Sequence, residues 1–73
     1  MVRYNSFMMI SINKKQMNLP NDITVSSLLE ILDIESKFIA VEINMVIIPK
    51  SEFNTHKLRE HDNVEVINPV GGG

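Results

Sequence analysis

One short amphipathic segment, residues 25–32, limits the folds that this chain can adopt. Its apolar residues recur at i, i+3, i+4 and i+7, which predicts one helix with a single apolar stripe formed by Val25, Leu28, Leu29 and Leu32. Thr24 is the predicted N-cap, because its hydroxyl can accept a hydrogen bond from an amide two or three residues later. A stripe beside strands is more often core than a partner-binding face, so we expect it to pack against a sheet.

The segments on both sides of this helix alternate between apolar and polar residues, which is the period of half-buried strands. The alternation predicts strands at 8–13, 16–19, 38–43, 46–48 and 64–68. The first two strands would form a hairpin through Asn13-Lys14-Lys15 and the next two a second hairpin. Residues 50–58 are expected to form a turn and a short edge strand.

This order of elements, within about 65 residues, is too compact for two βαβ units. The economical packing is an α+β fold of the β-grasp type: a mixed sheet of four to five strands curled over one helix. A right-handed crossover then leaves the last strand beside the first, in the centre of the sheet. We expect an N-terminal extension at 1–7, a β-grasp domain at 8–68 and a flexible tail at 69–73.

Composition excludes several classes of function. The chain of 73 residues has no cysteine, so disulfides, thiolate metal ligands and a thiol nucleophile are all absent. A net charge of −2 with dispersed acids argues against a nucleic-acid binder. No apolar run approaches the roughly 18 residues of a transmembrane helix. We expect a monomer in the cytoplasm, or in the plastid stroma if the gene is organellar.

The titratable side chains form no convincing catalytic or metal site. His56 and His61 lack cysteines or paired acids at ligand spacing, so we expect two surface histidines and no bound metal. Glu60, Asp62 and Glu65 could serve as acid and base, but no nucleophile or cofactor motif accompanies them. A solvated acidic rim is the preferred interpretation and recognition of a basic partner the alternative. The chain is therefore not expected to be an enzyme.

The three glycines of the chain, Gly71, Gly72 and Gly73, all lie at its end. A tail without side chains suits a carboxylate that has to enter another protein's narrow active site. The α-carboxylate of Gly73 is ionised at neutral pH and can attack an activated phosphate. The alternative is a frayed terminus without function.

Several short motifs occur in a characteristic order between Met8 and Gly73, about nine-tenths of the chain. They are Thr24-Val25 with Leu28-Leu29, Ala40-Val41-Glu42-Ile43-Asn44, Ile48-Pro49, Asp62 with Val64-Glu65-Val66, and Val70-Gly71-Gly72-Gly73. Together they make the chain resemble the ThiS family of ubiquitin-like sulfur carriers of thiamine thiazole biosynthesis.

The resemblance implies a cycle in three steps and no cofactor bound to the chain itself. A ThiF-type adenylating enzyme, using ATP and magnesium, forms an acyl-adenylate on Gly73. Persulfide sulfur, relayed from a cysteine desulfurase or sulfurtransferase, replaces AMP and leaves a thiocarboxylate, from which thiazole synthase (ThiG) takes the sulfur. Val70, Gly71 and Gly72 would be the threaded tail. A MoaD-type carrier for molybdopterin synthesis and a ubiquitin-like protein modifier are the alternatives.

The chain departs from the family at three turns, where Lys14, Met45 and His61 stand in place of frequent glycines. A residue other than glycine at positive φ costs on the order of 1 kcal/mol. We therefore predict altered turn types or longer loops at these positions.

Alternation along the strands also predicts a docking surface. We expect Ile10, Val41, Val64 and the residues two positions after each of them to face the helix. The opposite, open face of the sheet then carries Met9, Ala40, Glu42, Glu65 and Ile67. A small apolar patch with acidic edges, beside the root of the tail, is the expected binding surface for partners. The alternative is an ordinary scatter of apolar surface residues.

Overall fold

The structure is a computed structural model that describes residues 6–68. In chain order its elements are β1 (Phe7–Ile12), β2 (Lys15–Pro20), α1 (Val25–Ile31), β3 (Ala40–Ile43), β4 (Val46–Ile48), a 3-10 turn (Lys50–Glu52) and β5 (Asn63–Ile67). The strands form one sheet in the order β2-β1-β5-β3-β4. β1 and β5 are parallel and the other neighbours antiparallel. The predicted β-grasp arrangement, with the last strand beside the first, is confirmed.

The helix begins at the predicted cap. Thr24 Oγ1 accepts a hydrogen bond from the Ser27 N–H at 3.2 Å. Val25, Leu28 and Leu29 are buried, which confirms that the stripe belongs to the core. An isolated helix of seven residues would not be stable in water, so packing against the sheet maintains it. No α-helix within residues 6–68 is long enough to cross a membrane.

The core lies between α1 and one face of the sheet. Its strand residues follow the predicted alternation: Met8, Ile10 and Ile12 of β1, Val41 and Ile43 of β3, and Val64 of β5. Ile10, Val41 and Val64 are completely buried on three adjacent strands. Burial of each such side chain contributes about 1.5–3 kcal/mol relative to exposure, so these three residues add substantially to the free energy of unfolding.

Two predicted strands are shorter than the alternation suggested. β3 begins at Ala40, because residues before it turn and the Ile39 N–H donates to the Ser36 carbonyl at 3.5 Å. Phe38 is therefore 58% exposed, with Lys37 Nζ 5.4 Å from its ring centroid. The expected edge strand within 50–58 reduces to one bridge between Thr24 and Lys57.

The domain boundaries differ slightly from expectation or lie outside the described residues. β1 begins at Phe7, inside the expected extension 1–7, because Phe7 pairs with Pro20 of β2. Residues 1–5 and the tail at 69–73, which carries Val70, Gly71, Gly72 and Gly73, lie outside the described part of the chain.

The prediction of altered or longer turns was wrong. The β1–β2 turn consists of Asn13 and Lys14, with φ of 49° and 71°, and the β3–β4 turn of Asn44 and Met45, with φ of 52° and 71°. His61 also keeps a positive φ, of 69°. Both hairpins thus retain two-residue loops with the paired positive φ of type I′ turns. Asparagine tolerates this conformation better than most residues, which accounts for the first position of each turn.

Candidate functional site

The candidate site is the end of β5 from which the chain continues to residues 69–73, together with the open face of the sheet beside it. β5 is central, with β1 on one side and β3 on the other. β3 pairs with β5 from Val64 to Ile67, whereas β1 pairs with it only at Asn63 and Val64, at the start of the strand.

Two asparagines extend this pairing beyond the ladder itself. The Asn13 N–H donates to the Val64 carbonyl at 2.8 Å, and Asn13 Oδ1 accepts from the Val66 N–H at 2.8 Å. On the other edge the Asn44 N–H donates to the Asn63 carbonyl at 2.8 Å, and Asn44 Oδ1 accepts from the Asn63 N–H at 2.9 Å. In each case a side-chain oxygen occupies the ladder position of a strand carbonyl. These two bonds hold β5 in register at both of its ends.

Asp62 is structural, which corrects its assignment to a solvated acidic rim. The side chain is only 8% exposed. Its Oδ2 accepts from the Arg59 N–H at 2.9 Å, and its Oδ1 accepts from Asn44 Nδ2 at 3.0 Å. The carboxylate closes the turn before β5 and ties it to the β3–β4 turn, because it can accept two donors at once.

The other acids and the histidines do not gather around Asp62. Glu60 is exposed, with Oε2 accepting from the Met9 N–H at 3.2 Å and lying 3.8 Å from His61 Nε2. Glu65 lies elsewhere, on the open face. Residues 6–68 contain no group of three or more His, Asp or Glu side chains that could hold a metal ion. That His56 and His61 bind no metal stays a prediction.

A cleft beside α1 offers no catalytic arrangement either. It is lined by Ser26, Leu29, Glu30, Ile34, Ser36 and Asn54. Ser26 and Asn54 are hydrogen-bonded to each other through their side chains. One exposed acid and two hydroxyls, without a base positioned against either hydroxyl, do not form a nucleophile.

The structure brings four of the five predicted surface residues together. Ala40 lies directly opposite Ile67, and Glu42 directly opposite Glu65, on the paired strands β3 and β5. All four alternate with core positions and so share the open face. Ile67 is 40% exposed at the end of β5. We call these four residues the tail-side patch.

Met9 does not belong to the tail-side patch. β1 runs parallel to β5, and Ser11 pairs with Asn63 at the start of that strand. Met9 precedes Ser11, and its carbonyl accepts from the His61 N–H at 2.8 Å. At about 3.3 Å per residue, roughly 20 Å of strand separates this position from Ile67. The predicted surface is therefore divided between the two ends of the sheet.

Ile47 is a surface residue that the sequence reasoning missed. It pairs with Glu42 across β3 and β4 and is 56% exposed on the open face. The run Val46-Ile47-Ile48 is apolar throughout, so its alternation gives no signal of which residue faces solvent. Only the register with β3 places Ile47 next to the tail-side patch.

Comparisons with known proteins identify the family to which these features belong. The ThiS family model matches residues 2–73. The chain belongs to the ThiS family. The crystal structure of the thiamine biosynthesis protein ThiS from Geobacter metallireducens superposes with a TM-score of 0.80 at 25% identity, covering 90% of this chain and 100% of that one.

Sequence relatives of this ThiS family member fall into two kinds. The ycf40 proteins of Pyropia yezoensis and Porphyra purpurea are 39% identical over 64 residues and 36% identical over 69 residues. These alignments cover 88% and 94% of this chain, and 90% and 97% of the relatives. Thiazole synthase of Paramagnetospirillum magneticum is 35% identical over 66 residues, 90% of this chain but only 20% of that protein.

Proposed function

We propose that this protein is a sulfur carrier for the thiazole unit of thiamine, with the α-carboxylate of Gly73 as the group that carries the sulfur. The observation that supports this most is the ThiS family match through residue 73, because it includes the glycines that follow the central strand. The thiamine biosynthesis protein from Geobacter metallireducens, with the same fold, supports the same pathway.

The chemistry begins with activation, because a carboxylate oxygen is a poor leaving group. An oxygen of the Gly73 carboxylate attacks the α-phosphorus of ATP, pyrophosphate departs, and an acyl-adenylate forms. The terminal sulfur of a persulfide then attacks the acyl carbon and AMP leaves. A second thiol then attacks the sulfur of the resulting acyl disulfide that belongs to the former persulfide donor, a new disulfide forms between that thiol and the donor, and the thiocarboxylate is released. ATP and magnesium are bound by the partner in this scheme, and the carrier is the substrate of the reaction.

This chain contributes position and access to that scheme. β3 pairs with β5 as far as Ile67, and Asn13 and Asn44 add side-chain hydrogen bonds to β5, so the tail leaves from the end of a paired strand. Gly71 and Gly72 have no side chains and, with Val70, let the carboxylate of Gly73 enter a narrow site. In this scheme the chain is a carrier on which the partner enzymes act, and it is not itself an enzyme.

Three partners follow from the proposal. A ThiF-type adenylating enzyme activates Gly73 and docks on the tail-side patch, and a cysteine desulfurase or sulfurtransferase supplies the persulfide. Thiazole synthase (ThiG) accepts the sulfur. The Paramagnetospirillum magneticum relative supports this last partner, since a segment similar to our chain occurs within a protein named thiazole synthase. The carrier would act as a monomer in the cytoplasm, or in the plastid stroma if organelle-encoded.

Intact mass measurement tests the proposal. We expect a gain of about 16 Da, sulfur in place of oxygen, after incubation with ATP, magnesium, a cognate ThiF-type enzyme and a persulfide source. Fragmentation should localise the gain to Gly73, and a variant lacking Gly73 should show none. No gain with an enzyme that is active on its own carrier would contradict the proposal.

The same preparation separates the related functions. Transfer of the sulfur to thiazole synthase, with return of the original mass, is expected here. Transfer only to molybdopterin synthase would identify a MoaD-type carrier. Isopeptide-linked adducts in cells would identify a protein modifier.

A further inference from the structure

We infer that Glu42 and Glu65 act as a pair and together bind one arginine side chain of the adenylating enzyme. Ala40, Ile67 and Ile47 would pack around that contact. The inference rests on the proposed function, because it names the chemistry by which the tail-side patch recognises that enzyme. The inference also places the contact with the enzyme away from Met9 and next to the edge strand β4.

The two carboxylates oppose each other across the centre of the sheet. Glu42 of β3 and Glu65 of β5 are direct cross-strand partners and both are half-buried on the open face. Directly opposed side chains have Cβ atoms about 4.5–5.5 Å apart, and like charges in this arrangement destabilise the pair. Two ionised carboxylates in this register are therefore expected to carry an electrostatic cost in the free carrier.

Nothing within residues 6–68 neutralises this cost. Neither Glu42 nor Glu65 makes an ion pair or a side-chain hydrogen bond there. The acids before β5 are used differently: Asp62 accepts two hydrogen bonds and Glu60 accepts one from the Met9 N–H. The contrast leaves the pair on the open face without a cationic partner among residues 6–68, which makes it available to a ligand.

The chemistry of the pair favours a guanidinium over a metal ion or an ammonium. Calcium and magnesium need about six oxygen ligands, whereas Ala40, Ile47 and Ile67, three of the open-face neighbours of the pair, supply no side-chain oxygen. A lysine ammonium is a compact point charge. Arginine presents five N–H donors in a planar fork, which can serve two adjacent carboxylates at once.

The surroundings of the pair fit a protein surface. Ile47 lies on one side of Glu42, and the Ala40–Ile67 pair lies one step closer to the tail. Ile67 is 40% exposed and Ile47 56% exposed. A charged contact framed by apolar side chains is typical of the energetically dominant centre of an interface. Any enzyme that takes up residues 69–73 has to approach this end of β5. In the proposed scheme the adenylating enzyme is the first to do so, and we therefore assign the patch to it.

The main test compares three variants of the full chain in binding to a cognate ThiF-type enzyme by calorimetry. Glu42→Gln with Glu65→Gln removes both charges and nearly preserves shape. We expect its Kd to rise at least about tenfold, the loss typical of a charge-assisted hydrogen bond, and its salt dependence to flatten. Glu65→Lys should impair binding more, because it gives Glu42 an internal partner. Glu30→Gln, an exposed acid on α1, removes one charge elsewhere and should bind like the original protein.

Stability provides a second readout with the opposite sign. If the two carboxylates repel each other in the free carrier, the double glutamine variant and Glu65→Lys should both have melting temperatures about 2–5 °C above that of the original protein. A merely structural role would lower the melting temperature together with the affinity. Unchanged affinity of the double variant for the adenylating enzyme would overturn the inference, whatever its melting temperature.

The outcomes separate this inference from the proposed function. At saturating enzyme the double variant should still gain about 16 Da, since Gly73 is intact. If the original protein binds the enzyme but gains no mass, the proposed function fails alone. If the double variant binds the adenylating enzyme normally and is impaired only with thiazole synthase, the occupant named here is wrong.

Discussion

Asn44 donates a hydrogen bond from its side-chain Nδ2 to Oδ1 of Asp62, with 3.0 Å between the two atoms. The Oδ1 atom of Asn44 accepts a second hydrogen bond, from the Asn63 N–H at 2.9 Å. One amide side chain therefore joins the β3–β4 turn both to the turn before β5 and to the first residue of β5. This linkage is the means by which a hairpin turn without glycine supports the strand that leads to the tail.

Two replacements of Asn44 should separate the stability that its side-chain hydrogen bonds contribute from the strain of positive φ in the turn. Asn44→Gly keeps positive φ accessible but removes the bonds to Asp62 and Asn63, and we expect a loss of about 1–2 kcal/mol in the free energy of unfolding. Asn44→Ala should lose about 1 kcal/mol more, because alanine is strained at φ of 52°. Urea denaturation measures both. Equal stability of the two variants would show that the turn conformation is not the source of strain.

The second turn position should respond in the opposite way. Met45 has φ of 71° and is 88% exposed, so its side chain contributes little packing. We expect Met45→Gly to raise the free energy of unfolding by about 0.5–1 kcal/mol. Ser36→Gly, at a position without positive φ, is the control and should be neutral or destabilising. A lower denaturation midpoint for Met45→Gly would contradict this account of the turn.

The helix cap should be measurable on its own. Thr24→Ala removes the acceptor of the Ser27 N–H and should destabilise the protein by about 1 kcal/mol. Thr24→Ser keeps the hydroxyl and should recover most of that loss. Thermal unfolding of the two variants gives the comparison, and a serine variant no better than alanine would argue against a capping role.

Ile67 should matter for binding and not for folding. Ile67→Asp places a charge beside Ala40 in the tail-side patch, and we expect weaker binding to the ThiF-type enzyme by about tenfold or more with near-native stability. Ile31→Asp is the matched control, because Ile31 is 50% exposed at the end of α1. Isothermal titration calorimetry gives the affinity of each variant for the ThiF-type enzyme. Equal affinities would remove the patch from the interface.

Bulk in the tail should block chemistry without affecting the body. In the proposed scheme Gly72→Leu should reduce the rate of adenylation by about a hundredfold or more, since a side chain would have to enter a site shaped for none. Gly72→Ala should have an intermediate effect. Pyrophosphate release gives the rates, and unchanged melting curves confirm that folding is unaffected. A leucine variant as fast as the original protein would contradict the threading of the tail.

The order of elements and the composition of the core could be predicted from the sequence. Hydrophobic periodicity is a local property, so the stripe at Val25, Leu28 and Leu29 and the inward residues of β1, β3 and β5 could be recognised without coordinates. The Thr24 cap is likewise local, because its partner is three residues away. The position of β5 beside β1 followed from the handedness of crossovers.

The contacts that shape the candidate site depend on residues far apart in the chain. Asn13 bonds Val66 and Asn44 bonds Asp62, and no local pattern indicates that an exposed turn residue will complete a distant ladder. The direction of β1 relative to β5 separates Met9 from Ile67, although alternation places both on the open face.

Local sequence patterns were sufficient to predict the family, the helix at residues 25–31, the inward residues and the glycines on which the proposed chemistry depends. That Glu42 opposes Glu65, that Ile47 lies beside them and that Asp62 is buried became evident only from the folded protein. The physical reason is that alternation determines which face a residue occupies, whereas register between strands determines its neighbours. Register arises from the packing of the whole sheet.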